Sequence, residues 1–182
     1  LESRNINSFV DLSALAPGLT VAKNEGFKTV VSIRGVGNET NQNAIAAPSV
    51  AYHMDGIFIA SPFSLQTDFI DVERIEVLRG PQGTLFGQNS TGGAINVISK
   101  APTTDELEGK SDITVGNYGL TKTRGSINLP ISDSVATRTS ISVTKRDGFT
   151  DNIFNGQELD DADHLSFRSD WLFETSDTSS IR

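Results

Sequence analysis

The chain has no cysteine, so disulfides, thiolate metal centres and cysteine nucleophiles are all excluded. It has only two histidines, His53 and His164, which lie far apart in sequence and make no metal-spacing motif. It is not basic: the formal net charge is −8, the opposite of what a nucleic-acid-binding face requires, and no nucleic-acid partner is expected. No stretch approaches the ~18 consecutive apolar residues of a membrane-spanning helix. That absence excludes helical spans only, because β-strands cross membranes without such runs. No Gly-Lys-Ser/Thr follows a glycine-rich loop, and the glycine spacing fails the dinucleotide fingerprint, so nucleotide binding is not expected. No nucleophile–base pair or metal-ligand set stands out, and the chain does not read as an enzyme.

What is present divides near residue 105. Residues 1–102 mix helical and strand signals with glycine-rich turns, which reads as a small α+β domain with a mixed sheet and short helices. Phe9, Leu12 and Leu15 fall at helical spacing and predict a helix over 6–15, stopped by Pro17-Gly18. Strands are expected at Val30–Arg34, Val50–Ile59, Glu73–Leu78 and Gly92–Lys100, and a helical turn over 64–71. Asp55-Gly56 marks a tight turn or a bend in its strand. Glu73, Arg74 and Glu76 are expected to form surface ion pairs.

Ala101-Pro102-Thr103-Thr104 reads as a connector, and the remainder of 103–182 is almost purely alternating strand. Ile113 and Val115 oppose Asp112 and Thr114. Ile127, Leu129 and Ile131 oppose Arg124, Ser126 and Asn128. Ile141 and Val143 oppose Arg138, Ser140 and Ser142. Leu165, Phe167, Trp171 and Phe173 oppose Ser166, Arg168, Asp170 and Glu174. A period of two with one apolar face suits two architectures. A soluble β-sandwich hides that face in its core; an outer-membrane barrel turns it to lipid and keeps the polar face for the lumen. The connections lean toward the barrel: the inside turns Ser132–Ser134 and Thr175–Ser179 are short, and of the two outside connections Asn117–Leu120 is short and Asp147–Asp163 long and acidic. That loop does not match the spacing of a calcium-binding EF-hand and reads as a solvated external loop.

One segment is far more specific. Residues 71–100 run DVERIEVLRGPQGTLFGQNSTGGAINVISK. With SIRGVG at 32–37 and YHMDGIFI at 52–59 upstream, this resembles the plug domain of TonB-dependent outer-membrane receptors, with three motifs in the family's order and spacing. The resemblance identifies Gly35, Asp55, Gly56, Glu73, Arg74, Glu76, Gly80, Pro81, Gly83, Gly87, Gly92 and Gly93 as plug-signature positions. The glycines Gly80, Gly83, Gly87, Gly92 and Gly93 are expected to supply positive φ and close backbone approach, and Pro81 to fix a turn after its strand.

The resemblance implies an α+β plug (1–102) followed by the first antiparallel transmembrane strands (103–182) of a plugged barrel of about 22 strands. About four strands are expected here, with Thr178–Arg182 opening a fifth, so the chain is expected to be a fragment. It implies an importer of a scarce nutrient in the outer membrane of a Gram-negative bacterium, most often a ferric siderophore. TonB and its inner-membrane energising complex, outer-membrane lipid and a small metal-chelate substrate would be the partners. No cofactor would be bound by the protein itself. The TonB box would precede the first plug helix, at which this chain nearly begins. Arg34 and Arg79 would lock the plug to glutamates of the barrel wall, a role that suits the bidentate guanidinium fork. Asn41, Gln42, Asn43 and Phe63 would lie on apical loops facing the substrate. The rival reading is a soluble extracellular binding or adhesin module, an α+β domain joined to a β-sandwich; it accounts for the alternation but not for the three ordered motifs.

Overall fold

The computed structural model describes residues 9–14, 16–24, 28–37, 48–61, 69–176 and 179–182. The chain divides into two compact units, Leu1–Lys100 and Ala101–Arg182.

The first unit is built from two small sheets. Strands β1 (Leu19–Asn24), β2 (Lys28–Ile33) and β3 (Val36–Gly37) form an antiparallel sheet in that order. The second has the order β5-β4-β7-β6, from β4 (Val50–Met54), β5 (Ile57–Phe58), β6 (Val72–Arg79) and β7 (Gly93–Ser99). β4 runs parallel to β7, whereas β6 is antiparallel to it. β7 is therefore central, which agrees with its nearly continuous apolar run Ala94, Ile95, Val97, Ile98. Leu19, Val21, Val31 and Ile33 from the first sheet and Val50, Tyr52, Ile95 and Val97 from the second share one core with Phe9, Leu12 and Phe69. Phe9 packs edge-on to Tyr52 and against Phe69.

Among the described residues the expected mixture of strands and short helices is mostly strands, and the short helices are not confirmed. The described residues hold one 3-10 helix, Val10–Ala14, and one single-turn α-helix, α1 (Gly83–Phe86). Phe9 and Leu12 are buried as their spacing implies; residues 6–8 and 15 of the expected helix lie outside the described residues. The turn expected at 64–71 falls largely on residues 62–68, which lie outside the described residues; 69–71 are not helical. β1 is not marked by the sequence pattern, because Lys23 breaks the alternation that Leu19 and Val21 begin. The single strand expected over 50–59 is two strands, β4 and β5, folded back at Asp55-Gly56.

The second unit is one five-stranded antiparallel sheet in the order β14-β13-β10-β9-β8: β8 (Glu108–Val115), β9 (Thr121–Ser132), β10 (Val135–Arg146), β13 (Ala162–Ser176) and β14 (Ser179–Ile181). β8, β9, β10 and β13 pair consecutively as an up-and-down meander. The acidic loop between β10 and β13 is not featureless: it folds into a ribbon of β11 (Thr150–Asp151) and β12 (Glu158–Leu159). Among the described residues no helix is long and apolar enough to cross a membrane.

Candidate functional site

The residues singled out in the first unit form one β-loop-β unit. β6 and β7 pair with Arg79 opposite Gly93 and Glu76 opposite Asn96. The loop between them is closed in layers. The Gly80 N–H donates to the Gly92 carbonyl (3.1 Å) and the Gln82 N–H to the Ser90 carbonyl (2.9 Å). Inside, α1 makes one turn, and the Ser90 hydroxyl donates to the Gly87 carbonyl (2.7 Å).

The paired glycines at its return are required by space. A β-carbon on Gly93, whose φ is +149°, would sit 2.3 Å from the Leu78 carbonyl oxygen and 2.8 Å from Ile33 Cδ1; one on Gly92 would sit 2.9 Å from the Val36 carbonyl oxygen. Ile33 and Val36 flank the Arg34-Gly35 turn, and Arg79 is in register with Gly93. Both arginine motifs therefore converge on the Gly92–Gly93 step. Gly80 and Gly87 have positive φ, as expected, but Gly83 has neither positive φ nor a close neighbour. It opens α1, where ordinary helical angles suffice.

Arg34 and Asp55 occupy equivalent places. Each is the first residue of a two-residue hairpin turn in left-handed backbone (φ 53° and 50°), followed by a glycine at φ 77° or 81°, Gly35 or Gly56. This is the turn whose twist matches that of paired strands. Arg34 and Arg79 are exposed, and among the described residues no ion pair involves either. Asp55 does more than turn the chain: its Oδ1 accepts from the Ser99 N–H (2.8 Å) and its Oδ2 from the Ser99 hydroxyl (2.7 Å).

The surface ion pairs expected at 73–76 are present. Arg74 donates to Glu73 and, through Nε, to Glu76 (2.9 Å). Glu76 also accepts from Asn96 Nδ2 (3.1 Å). These bonds, Arg74 first, hold the Glu76 carboxyl below its usual range. The row continues across the sheet, because Asn96 is in register with His53 and His53 with Phe58. His53 is buried against the rings of Phe58 and Phe86, and that desolvation lowers its pKa. Sequence reasoning missed Asn96 and Ser99, whose roles need partners 20 and 44 residues away. Asn41, Gln42, Asn43 and Phe63 lie outside the described residues.

The second unit shows its chemistry in which face is open. Ile113 (71% exposed), Leu165 (67%) and Phe167 (65%) leave their apolar side chains uncovered, with Ile127, Leu129, Ile131, Ile141, Trp171 and Phe173 beside them. The polar face is the enclosed one: Asn128 (0%), Arg138 (3%), Ser140 and Ser142 are buried, and Asp112, Arg124, Arg168 and Asp170 half-buried; Glu174, at the strand end, is exposed. Its charges are paired. Arg124 Nε donates to both oxygens of Asp112 (3.0 Å), Arg138 Nη1 to Glu108 (3.2 Å), and Asp170 takes both Arg168 and Arg182 (3.2 Å each). A soluble sandwich would show the reverse polarity and a second sheet over the apolar side. Within this unit the described residues supply neither.

The described residues thus give a five-stranded sheet with an open apolar face and a paired polar face, and a β-loop-β unit tightened by glycines. The family profile described as the TonB-dependent receptor plug domain matches residues 1–94, and the chain belongs to this family. It is 34% identical over 105 residues to the pesticin receptor of Yersinia pestis, a match covering 56% of this chain and 15% of that protein. It is 32% identical over 109 residues to the catecholate siderophore receptor Fiu of Escherichia coli K12, covering 58% and 14%. The matched segment thus spans about one seventh of the length of these relatives. Among solved structures, the ferric yersiniabactin uptake receptor FyuA from Yersinia pestis superposes with a TM-score of 0.79 at 26% identity, over 97% of this chain and 28% of that one. The siderophore receptor PiuA from Acinetobacter baumannii shares the fold, with a TM-score of 0.72 at 20% identity, over 93% and 22%.

Proposed function

We propose that this chain is the N-terminal part of an outer-membrane receptor of a Gram-negative bacterium that imports a scarce nutrient, with a ferric siderophore as its substrate. Transport would be energised through TonB and its inner-membrane complex. The observation that carries the reading is the inverted polarity of the second sheet: Ile113, Leu165 and Phe167 stand open while Asn128 and Arg138 are enclosed. Lipid on one side and a filled lumen on the other satisfy both faces. The substrate class is supported by the relatives, since Fiu is named a catecholate siderophore receptor and FyuA a ferric yersiniabactin uptake receptor. The protein would supply no cofactor; the metal would arrive inside its chelate.

Within this reading Arg34 and Arg79 are the lock between plug and barrel, each seeking a carboxylate beyond these residues. Left-handed backbone at a residue other than Gly, Asn or Asp costs about 1 kcal/mol or more, and Arg34 adopts it at φ 53°. A turn alone would be better served by glycine or asparagine, so the guanidinium is retained for what it reaches. Asn41, Gln42, Asn43 and Phe63 remain the proposed substrate contacts.

The test is uptake of radiolabelled iron by a deletion strain complemented with the full-length gene, across a panel of ferric siderophores. Uptake of at least one chelate that disappears when TonB is inactivated is expected. Equal uptake with and without the gene for every chelate contradicts the substrate class, and uptake indifferent to TonB contradicts the mechanism.

A further inference from the structure

We propose that Asn128 is a clasp that fixes the connector between the two units to the polar face of the second sheet, and that it sets the point at which remodelling of the plug stops. The inference rests on the transport reading given above. Asn128 lies in β9 and is fully buried (0% exposed). Among the described residues it bonds no other side chain, only the backbone leading from the connector into β8. Its Oδ1 accepts from the Thr103 N–H (3.0 Å), and its Nδ2 donates to the carbonyls of Thr103 (2.9 Å) and Glu106 (2.8 Å).

A side-chain amide has two donor hydrogens and a carbonyl acceptor, and both kinds of group are used here. Such a match between one side-chain amide and the N–H and C=O of one residue, Thr103, imitates a strand pairing across a gap. The connector cannot shift by one residue without breaking all three bonds. It is also shaped beforehand: the Thr103 hydroxyl donates to Asp105 Oδ2 (2.6 Å) and accepts from the Asp105 N–H (3.0 Å). On either side of Asn128 in the sheet lie Glu108 and Arg138, both in register with it and bridged to each other (3.2 Å). The clasp therefore sits in a braced row rather than on a loose strand.

Beside the lock at Arg34 and Arg79, the connector is the covalent route by which force applied to the plug would reach the barrel. A connector free to slide would absorb part of that extension; a clasped one transmits it to the plug until the clasp itself is reached. Asn128 is thus a positioning residue: it touches no substrate and acts through the connector.

The experiment uses the full-length receptor in lipid nanodiscs, comparing wild type, Asn128→Ala and Asn128→Asp by amide hydrogen exchange. Asp keeps the volume and one acceptor but sets a carboxylate against two carbonyls, so it separates lost bonding from lost packing if the Ala variant fails to assemble. Exchange at residues 103–107 is expected to rise on the order of tenfold or more in both variants, with β9 and β10 unchanged. Unchanged protection of the connector overturns the clasp. In cells, the variants are expected to bind ferric siderophore with unaltered affinity while the maximal uptake rate falls severalfold. An unaltered maximal rate beside a loosened connector overturns the positioning role. Absence of TonB-dependent uptake in the wild type would instead refute the transport reading, and the exchange data would still decide the clasp.

Discussion

Asp55 and Ser99 are tied by two hydrogen bonds: one carboxylate oxygen takes the Ser99 backbone N–H at 2.8 Å and the other its hydroxyl at 2.7 Å. Asp55 sits in the β4–β5 turn, in left-handed backbone, and its own N–H donates to the Val97 carbonyl (3.0 Å). The turn thus caps the end of the central strand β7. Removing the carboxylate leaves the buried Ser99 groups without these acceptors. Asp55→Ala is expected to destabilise the plug by about 1.5–3 kcal/mol, and Asp55→Asn by about half as much, since hydrogen bonds to charged groups contribute in that range. Hydrogen exchange at the carboxyl end of β7 in the full-length receptor measures it; equal protection in all three proteins would refute the tie.

The glycines of the signature are not equivalent. Gly93→Ala must displace the Leu78 carbonyl or Ile33, at a cost of about 2–4 kcal/mol once its positive φ is included. Gly83→Ala meets nothing and should change stability by no more than about 0.5 kcal/mol. Thermal unfolding of the two variants decides the matter, and similar losses in both would be inconsistent with this packing.

His53 makes the plug sensitive to acid. Burial against Phe58 and Phe86 lowers its folded-state pKa below the ordinary 6.5. The unfolded chain therefore takes up a proton first as pH falls. Stability is full above about pH 6.5 and declines below it until the folded-state pKa is passed. Asn96 and Glu76 share its row, but Glu76 is already engaged by Arg74 and Asn96. Replacement by Leu should flatten the unfolding midpoint of the plug between pH 6.5 and 5; an unchanged slope would show that His53 is not the group responsible.

Much of this was legible in the sequence, for physical reasons. Strict alternation from Ile113 to Phe173 can satisfy only a two-faced sheet, so β8, β9, β10 and β13 were expected close to where they lie. Arg34-Gly35 and Asp55-Gly56 are short-range turn signals. Three things were hidden. Periodicity does not say which face is open, and only the exposed Phe167 beside the enclosed Arg138 separates barrel from sandwich. The helical spacing of Phe9 and Leu12 marked buried positions without revealing that the described turn, Val10–Ala14, is 3-10. Long-range ties such as Asp55 to Ser99 and Asn128 to Thr103 join residues whose types are ordinary in isolation.

The account stands on which side of the second sheet meets lipid. Single cysteines at positions 165 to 170 of a full-length receptor with no other reactive thiol, each carrying an environment-sensitive fluorophore in bilayers with brominated lipid, report this directly. Labels at 165, 167 and 169 should be quenched by the lipid and those at 166, 168 and 170 should not, a period of two along β13. Quenching at 166, 168 and 170 instead, or no alternation at all, would contradict the assignment of the Leu165–Phe167 face to the membrane.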